Sequence, residues 1–433
     1  MKMVLPRKIS CLSAMIMLCI SGGSAFADSS IVPVGSSVNL TANNVPVVNI
    51  NQPGQDGVSH NQYSQFDVSS QGVVLNNAQG GAQSQLAGAI NANANLSAGA
   101  AKVILNEINS SDKTLLNGMI EVAGQKADVI VANRSGITCN GCGFINTGTG
   151  VLTTGELQFK DKQFTGYNVT DGTVTFEGKG LQKGDVDYTA VIARAENINA
   201  AVQAKSLLVL AGKKNVTADL DLTRYTNLDN KDKSPEVLVD VSQLGGMYAG
   251  KIVLIANENG VGINDSTPVS LRNNGEVVTD GGDMLLSATA LTNTGKIAAG
   301  GNASLQTTAL SNQGNITANN ALNIGSASFS NAKDISAKNN IDIKSTTTSN
   351  SGKIVSQQGG VTVSDMTFSN NGTIQAKNNI SHKGMVFSNN GTLTSTQGSV
   401  FDNGRDINYR PPVVTQPANP WSSWASSWWY PRW

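Results

Sequence analysis

Short bursts of alternating apolar and polar residues recur along the C-terminal half of the chain. Clear examples are residues 321–324 (ALNI), 341–343 (IDI) and 361–363 (VTV). An apolar side chain at every second position is typical of a strand that buries one face. Between the bursts lie Asn-Gly pairs or their relatives, which tolerate the positive φ angles of tight turns. The pattern predicts short strands separated by turns.

One phrase returns at a steady spacing: RNNGEV, TNTGKI, SNQGNI, SNAKDI, SNSGKI, SNNGTI and SNNGTL. Its first asparagine recurs every 19 or 20 residues, at Asn273, Asn293, Asn312, Asn331, Asn350, Asn370 and Asn389. A leucine-rich solenoid needs a fixed leucine and asparagine frame, which is absent, and a propeller blade needs about forty residues. The sequence therefore predicts an all-β protein, a right-handed parallel β-helix in which each repeat forms one coil.

The segment that precedes the repeats has the same strand-rich texture without the regular period. Apolar runs at 102–105, 127–131, 207–210 and 251–255 are separated by Gly and Asn. The open end of a solenoid exposes strand edges that invite aggregation, and it needs a cap. We therefore expect an irregular N-terminal capping region.

The first 27 residues have the pattern of a secretory signal. A basic start with Lys2, Arg7 and Lys8 precedes an apolar stretch over 9–20, and Ala-Phe-Ala at 25–27 provides a cleavage site. The apolar stretch is too short to span a bilayer. This predicts that the mature chain begins near residue 28, outside the cytoplasm.

Composition narrows the classes of partner and chemistry. Charged residues make up only 14% of the chain, against about 25% in an ordinary globular protein. Without the signal, 27 basic residues face 30 acidic ones, so the net charge is about −3. No basic stripe is present, and we expect no nucleic-acid partner. After the signal, no stretch is apolar enough to cross a membrane, so we expect membrane contact only through the C-terminal tail, if at all.

Residues 137–144 read ITCNGCGF, and Cys139 and Cys142 are the two cysteines that remain after signal removal. Zinc needs four ligands, and the two histidines, His60 and His382, lie far away in sequence. A redox CxxC normally opens a helix, and nothing near residue 139 has a helical pattern. In an oxidising compartment the pair is expected to form a local disulfide that pins a turn.

Catalytic motifs are not found. Residues 245–251 (GGMYAGK) have the spacing of a phosphate loop, but the next residue is Ile252, where magnesium binding needs Ser or Thr. We predict no cofactor, no metal and no enzymatic activity. A polysaccharide-acting enzyme stays as a third option, because β-helices include such enzymes.

The stretch before the repeats resembles the secretion domain of two-partner-secretion exoproteins, the filamentous haemagglutinin and haemolysin family. The similar phrases include NVPVVNINQPGQDGVSHNQYSQFDV, ANANLSAGAAKVILNEIN and GMIEVAGQKADVIVANRSGITCNGCGFINTGTGVLTTG. The repeats resemble the family's β-helical shaft. The resemblance implies a secretion domain over 28–265, and together with the residue patterns it predicts a signal peptide over 1–27, β-helix repeats over 266–405 and a Pro/Trp-rich tail over 406–433.

Two signature tetrapeptides of the family fall on residues 93–96 (NANL) and 133–136 (NRSG). The resemblance implies that the secretion-motif residues are Asn93, Asn95, Leu96, Asn133 and Gly136. The family's prolines are missing at both places, and Ser135 replaces the inner asparagine of the second tetrapeptide. An equally weighted interpretation is that both are tight turns of the β-helix, whatever recognises them.

The resemblance implies export. Proteins of the family reach the periplasm unfolded, are bound by a dedicated outer-membrane barrel, thread through it and fold outside. This predicts a secreted or cell-surface protein of a Gram-negative bacterium, an adhesin-type exoprotein whose further partner is a host-cell surface. The alternative is a haemolysin-like or contact-dependent toxin exoprotein, truncated from a longer form.

The tail is the last unusual segment. It reads PPVVTQPANPWSSWASSWWYPRW from residue 411 and contains all five tryptophans, at Trp421, Trp424, Trp428, Trp429 and Trp433. Prolines cannot continue a strand ladder, so the shaft should end near residue 403 or 408. Indole rings favour the membrane–water interface, which predicts a surface anchor. The alternative is a disordered or truncated tail.

Overall fold

The structure is a computed structural model that describes residues 30–41, 43–229, 235–259 and 269–408. All regular elements in these ranges are strands. The predicted signal peptide and the predicted tryptophan anchor lie outside the described residues.

The strands that precede the repeats have the following bounds: β1 (Ser30–Val34), β2 (Ser37–Leu40), β3 (Pro46–Asn49), β4 (Val58–Asp67), β5 (Val73–Asn77), β6 (Ala82–Ser84), β7 (Gly88–Ile90), β8 (Val103–Ile108), β9 (Thr114–Leu116), β10 (Met119–Gly124), β11 (Ala127–Asn133), β12 (Ile137–Cys139), β13 (Gly143–Ile145), β14 (Thr147–Thr153), β15 (Glu156–Lys160), β16 (Gln163–Val169), β17 (Thr173–Phe176), β18 (Val186–Ala193), β19 (Ala195–Ile198), β20 (Ala201–Ala211), β21 (Lys214–Thr217), β22 (Thr226–Asn227), β23 (Val239–Val241) and β24 (Gly246–Ala256).

The strands of the repeats follow: β25 (Leu271–Asn273), β26 (Glu276–Thr279), β27 (Met284–Asn293), β28 (Lys296–Ala299), β29 (Ala303–Asn312), β30 (Asn315–Ala318), β31 (Leu322–Asn331), β32 (Asp334–Ala337), β33 (Ile341–Asn350), β34 (Lys353–Ser356), β35 (Val361–Ser364), β36 (Thr367–Asn370), β37 (Thr373–Ala376), β38 (Ile380–Lys383), β39 (Val386–Asn389), β40 (Thr392–Ser395), β41 (Val400–Asp402) and β42 (Arg405–Asp406).

Strands of successive coils pair in parallel. β29 pairs with β27 of the preceding coil and with β31 of the following coil, and the paired Cα positions are 19 residues apart. The same arrangement joins β28, β30 and β32 on another face. The predicted parallel β-helix is confirmed, and its coil has the length of the sequence repeat.

Each repeat coil has three faces. In β29 the first half (303–307) lies on one face and the second half (309–312) on the next, while β30 forms the third. Side chains that point inward stack as apolar columns from coil to coil. One such column contains Leu286, Leu305, Ile324, Ile343 and Val363, all buried. Burial of one such side chain contributes about 1.5–3 kcal/mol, so the continuous interior is the main source of stability.

The N-terminal end is irregular. β1 pairs antiparallel with β4 and thereby covers an edge of the first coil. A separate five-stranded sheet has the order β13-β10-β5-β3-β2. A four-stranded antiparallel sheet of β15, β16, β21 and β22 lies outside the helix, and its Leu157, Tyr167 and Val216 pack on the outward side chains of β11 and β18. We call this the outer sheet.

The C-terminal end is open among the described residues. There β39 pairs only with β36, and β40 only with β37. β41 and β42 turn back as a short antiparallel hairpin. Met385 is 80% exposed at this end.

Candidate functional site

Asn93 forms the core of the first tetrapeptide turn. Its Oδ1 accepts a hydrogen bond from the backbone N–H of Asn95 at 3.0 Å, and its carbonyl oxygen accepts one from Leu96 N–H at 3.1 Å. Its Nδ2 donates to the carbonyl oxygens of Ile50 (3.0 Å) and Asn76 (2.9 Å). The Asn93 side chain is buried. One asparagine therefore closes its own turn and ties it to two neighbouring segments.

The other two residues of this motif have different surroundings. Asn95 is exposed, and its Nδ2 donates to Ile50 O at 3.1 Å. Leu96 is buried in the main core, so it anchors the turn by packing. In the folded protein only Asn95 of the three presents its side chain to solvent.

Asn133 forms the second turn in the same way. Its Oδ1 accepts from the Ser135 N–H at 2.9 Å, and its carbonyl oxygen accepts from the Gly136 N–H at 3.0 Å. Its Nδ2 donates to Asp112 O (3.0 Å) and Thr114 Oγ1 (2.9 Å). The Asn133 side chain is buried as well. The two motifs are 40 positions apart in sequence and share one hydrogen-bonding scheme.

Gly136 has a backbone that favours glycine. Its φ is +116°, a region that side chains rarely adopt, and a Cβ there would lie 2.9 Å from Thr173 O. Beside this turn an open cleft of about 480 Å³ is lined by Lys113, Arg134, Asp171 and other residues. Ser135, which replaces the family's asparagine, donates from Oγ to Ser110 O at 2.7 Å. The substitution therefore keeps a polar contact at this position.

Cys139 and Cys142 form a disulfide bond directly after the second turn. Both sulfur-bearing side chains are buried in the main core. The bond fixes the short link from β12 to β13, and its burial keeps it away from solvent. This arrangement serves structure and offers no accessible thiol.

Two groups of titratable side chains in the N-terminal region are held by close polar contacts. His60 Nε2 lies 2.8 Å from Glu107 Oε2, and this contact lowers the pKa of Glu107. On the surface, Lys126 and Lys205 both contact Asp187 and lower its pKa to about 2. In the described ranges, no group of three or more His, Cys, Asp or Glu residues is placed to hold a metal ion. Those ranges also contain no helix that is long and apolar enough to cross a membrane.

Sequence reasoning missed three buried polar sites. Lys214 reaches Asn257 across 43 positions of sequence, Arg194 pairs with Glu258, and Glu196 lies in the interior. The contacts of Lys214 and Arg194 gave no signal in the sequence, because their partners lie 43 and 64 positions away. Lys214 and Glu196 each alternate with an exposed residue along a strand. That pattern indicates only that both side chains point away from solvent.

Comparison with known proteins identifies one matching family, two similar curated proteins and one similar solved structure. Residues 24–286 match the family described as the TPS secretion domain. The chain is 42% identical over 304 residues to the Toxin CdiA of Yersinia pestis, which covers 68% of this chain and 9% of that protein. It is 41% identical over 254 residues to the tRNA nuclease CdiA-2 of Burkholderia pseudomallei (strain 1026b), covering 58% of this chain and 8% of that protein. The chain thus spans less than a tenth of the length of these curated relatives.

Among solved structures, the filamentous hemagglutinin secretion domain matches with a TM-score of 0.49 at 24% identity, over 86% of this chain and 99% of that chain.

Proposed function

The chain belongs to the TPS secretion domain family, and we propose that its N-terminal region, residues 28–265, directs export by binding an outer-membrane transporter barrel. Two-partner-secretion exoproteins pass through the periplasm and the outer membrane. The chain is therefore a protein of the cell surface or the extracellular space. The family match over residues 24–286 is the observation that carries this proposal.

The two asparagine turns support an order of events in which recognition precedes folding. In the folded protein the amides of Asn93 and Asn133 are buried and fully engaged with neighbouring segments. A transporter that reads these amides must therefore meet them before the coils close. Folding outside the cell then withdraws the motifs from the transporter, and the stacking of each further coil favours release.

The described shaft suits an extended display surface. Its coils stack without interruption from β25 to β40, and its exposed residues are mainly Asn, Ser, Thr and Lys. We propose an adhesin-type exoprotein that contacts a host-cell surface through this shaft. For the described region we propose no enzymatic activity.

The relatives support a second candidate function. Their names describe a toxin and a tRNA nuclease, and this chain spans less than a tenth of their length. In that case the chain is the export region and the first part of the shaft of a contact-dependent toxin exoprotein. A haemolysin-like or polysaccharide-acting protein has no comparable support here.

A secretion assay tests the export proposal. The double variant Asn93→Ala with Asn95→Ala is compared with Asn312→Ala, which removes a buried asparagine of the shaft and leaves both motifs intact. We expect the double variant to accumulate in the periplasm while Asn312→Ala is secreted. Equal secretion of both variants, or equal retention of both, would overturn recognition through the motif.

A pair of functional assays separates the two candidate functions. Purified protein is tested for binding to host cells, and producing bacteria are tested for growth inhibition of neighbouring bacteria. Binding without inhibition supports the adhesin, and inhibition that depends on cell contact supports the toxin exoprotein.

A further inference from the structure

Lys214 is a buried lysine whose amine meets two carboxamides. It begins β21 of the outer sheet, and its side chain has no exposed surface. Its Nζ lies 2.5 Å from Asn257 Oδ1, 2.5 Å from Asn257 O and 3.0 Å from Asn227 Oδ1. The ring of Tyr225 covers it with a centroid distance of 5.4 Å. The amine is thus held against the Asn257 side chain and shielded from water.

The backbone is shaped to permit this approach. Gly212, two residues before Lys214, has φ +106°, and a Cβ there would lie 2.2 Å from Asn257 O. A residue with a side chain would push the two segments apart. Gly212 therefore allows the start of β21 to pass directly over the segment that follows β24.

A carboxylate completes the cluster. Glu258 follows Asn257, and its Oε1 lies 3.0 Å from Arg194 Nη2 while its Oε2 accepts from Lys213 N–H at 3.1 Å. Burial lowers the pKa of Lys214 to about 7, and the negative charge of Glu258 offsets part of this effect by raising the pKa. A large share of the amine is therefore neutral near pH 7–8, the form that acts as a nucleophile.

We propose that Lys214 and Asn257 join through an intramolecular isopeptide bond. The Nζ lone pair attacks Cγ of the Asn257 carboxamide, and a new C–N bond forms. The bond from Cγ to Nδ2 then breaks, and one proton passes from Nζ to the leaving nitrogen, which departs as ammonia. The products are one amide cross-link and one ammonia, so the reaction needs no oxidant, metal or cofactor.

The cross-link fastens the outer sheet to the β-helix. Lys214 begins β21 and Asn257 directly follows β24, so the two residues meet only when β20, β21 and β24 are in place. The bond therefore forms after folding, and it makes the contact between the two sheets permanent. This inference depends only on the folded contacts and stands apart from the proposed export function.

Mass spectrometry of the purified folded protein tests the proposal. We expect an intact mass lower than that of the unmodified chain by one ammonia, and a branched proteolytic peptide that joins the segments around Lys214 and Asn257. The variants Lys214→Arg and Asn257→Ala should each show the full unmodified mass. Lys205→Arg, a change at an exposed lysine, and Asn227→Ala, which removes the more distant carboxamide, should keep the loss of ammonia.

An unmodified mass for the wild-type protein after prolonged incubation at pH 8 would overturn the proposal. A branched peptide that contains Asn227 in place of Asn257 would overturn the assignment of the partner. The wild-type mass is decisive even where a variant fails to fold.

Discussion

Asn312 donates a hydrogen bond from its Nδ2 to Oδ1 of Asn331 at 2.8 Å, and both side chains are buried. The same bond joins every neighbouring pair of the repeat asparagines from Asn273 to Asn389, at 2.7 to 2.8 Å. From Asn312 onward each amide also reaches the turn that follows it, as Asn331 Nδ2 does to Lys333 O at 2.9 Å. The amides of Asn273 and Asn293 instead reach Lys296 O and Asn315 O in the next coil. The repeated phrase is therefore one turn per coil, tied to the next coil by a side-chain amide.

The middle of this ladder should be its most sensitive position. Asn331→Ala removes the oxygen that accepts from Asn312 Nδ2 and the amide N–H that donates to Asn350 Oδ1. It therefore leaves buried polar groups unpaired. Each unpaired buried group costs about 1–3 kcal/mol. We expect a clear loss of unfolding free energy, measured by urea denaturation followed by circular dichroism.

Asn389→Ala is the matched control for the ladder. Asn389 is exposed at the open end and has only one ladder neighbour, Asn370. Its loss should lower stability by less than the Asn331 change. A similar loss of unfolding free energy in both variants would show that burial within the ladder does not determine how much each asparagine contributes to stability.

The second export turn should depend on its glycine. Gly136→Ala forces an alanine into a left-handed φ of +116° and brings its Cβ within 2.9 Å of Thr173 O. The conformation alone costs about 1–2 kcal/mol, and the clash adds to it. Gly281→Ala has φ +78° with no atom within 4 Å of the new Cβ, so it isolates the conformational part. Thermal unfolding should place Gly136→Ala well below Gly281→Ala, and equal values would contradict the clash.

The disulfide should stabilise the second motif without being required for folding. Replacing Cys139 and Cys142 by alanine removes a three-residue loop closure, which is worth about 2 kcal/mol in the chain-entropy model. The double variant should still fold, but it should unfold at a lower urea concentration than the wild type. Its unfolding midpoint should not change when reductant is added. The wild type should shift toward the variant when reduced. A variant that no longer folds would show that the buried pair carries more than loop closure.

The repeat allowed much of the fold to be predicted, because parallel coils place residue i beside residue i+19 or i+20. The alternation at 341–343 and 361–363 correctly indicated inward side chains, since Ile341 and Val363 are buried. Stacking of asparagine from coil to coil was also foreseeable from the seven phrases. These features are local or periodic, and both kinds of pattern are visible in one sequence.

Contacts between segments without a common period were not predictable. The outer sheet joins β16 to β21 across four intervening strands, and nothing in either strand specifies that pairing. His382 occupies the interior column that Val363 and Ile343 fill in earlier coils, and it contacts Asp365 and Asp402. Sequence and resemblance located Asn93 and Asn133 as motif residues, but the backbone groups that bury their amides lie some 20 to 45 positions away.

Glu196 is the clearest unfavourable group in the interior. It lies on β19 between Val174 of the preceding coil and Val239 of the following coil. Its side chain is buried, and neither carboxyl oxygen has a hydrogen-bond partner among the described residues. Burial raises the pKa of Glu196 well above its usual value of 4.5.

This group should make the stability fall as pH rises. The folded protein keeps the Glu196 proton at pH values where the unfolded chain has already lost it, so the folded state binds more protons above about pH 4.5. The contribution of Glu196 to the free energy of unfolding is fully present below that pH and is lost progressively as the pH rises toward the folded-state pKa.

The variant Glu196→Gln tests this, because its side chain stays neutral at every pH. Its gain in unfolding free energy over the wild type should be small at pH 4 and should grow toward pH 8. The exposed Glu177→Gln should show no such growth. Urea denaturation at the two pH values measures the difference, and a constant offset between Glu196→Gln and the wild type would mean that Glu196 is ionised in the folded protein.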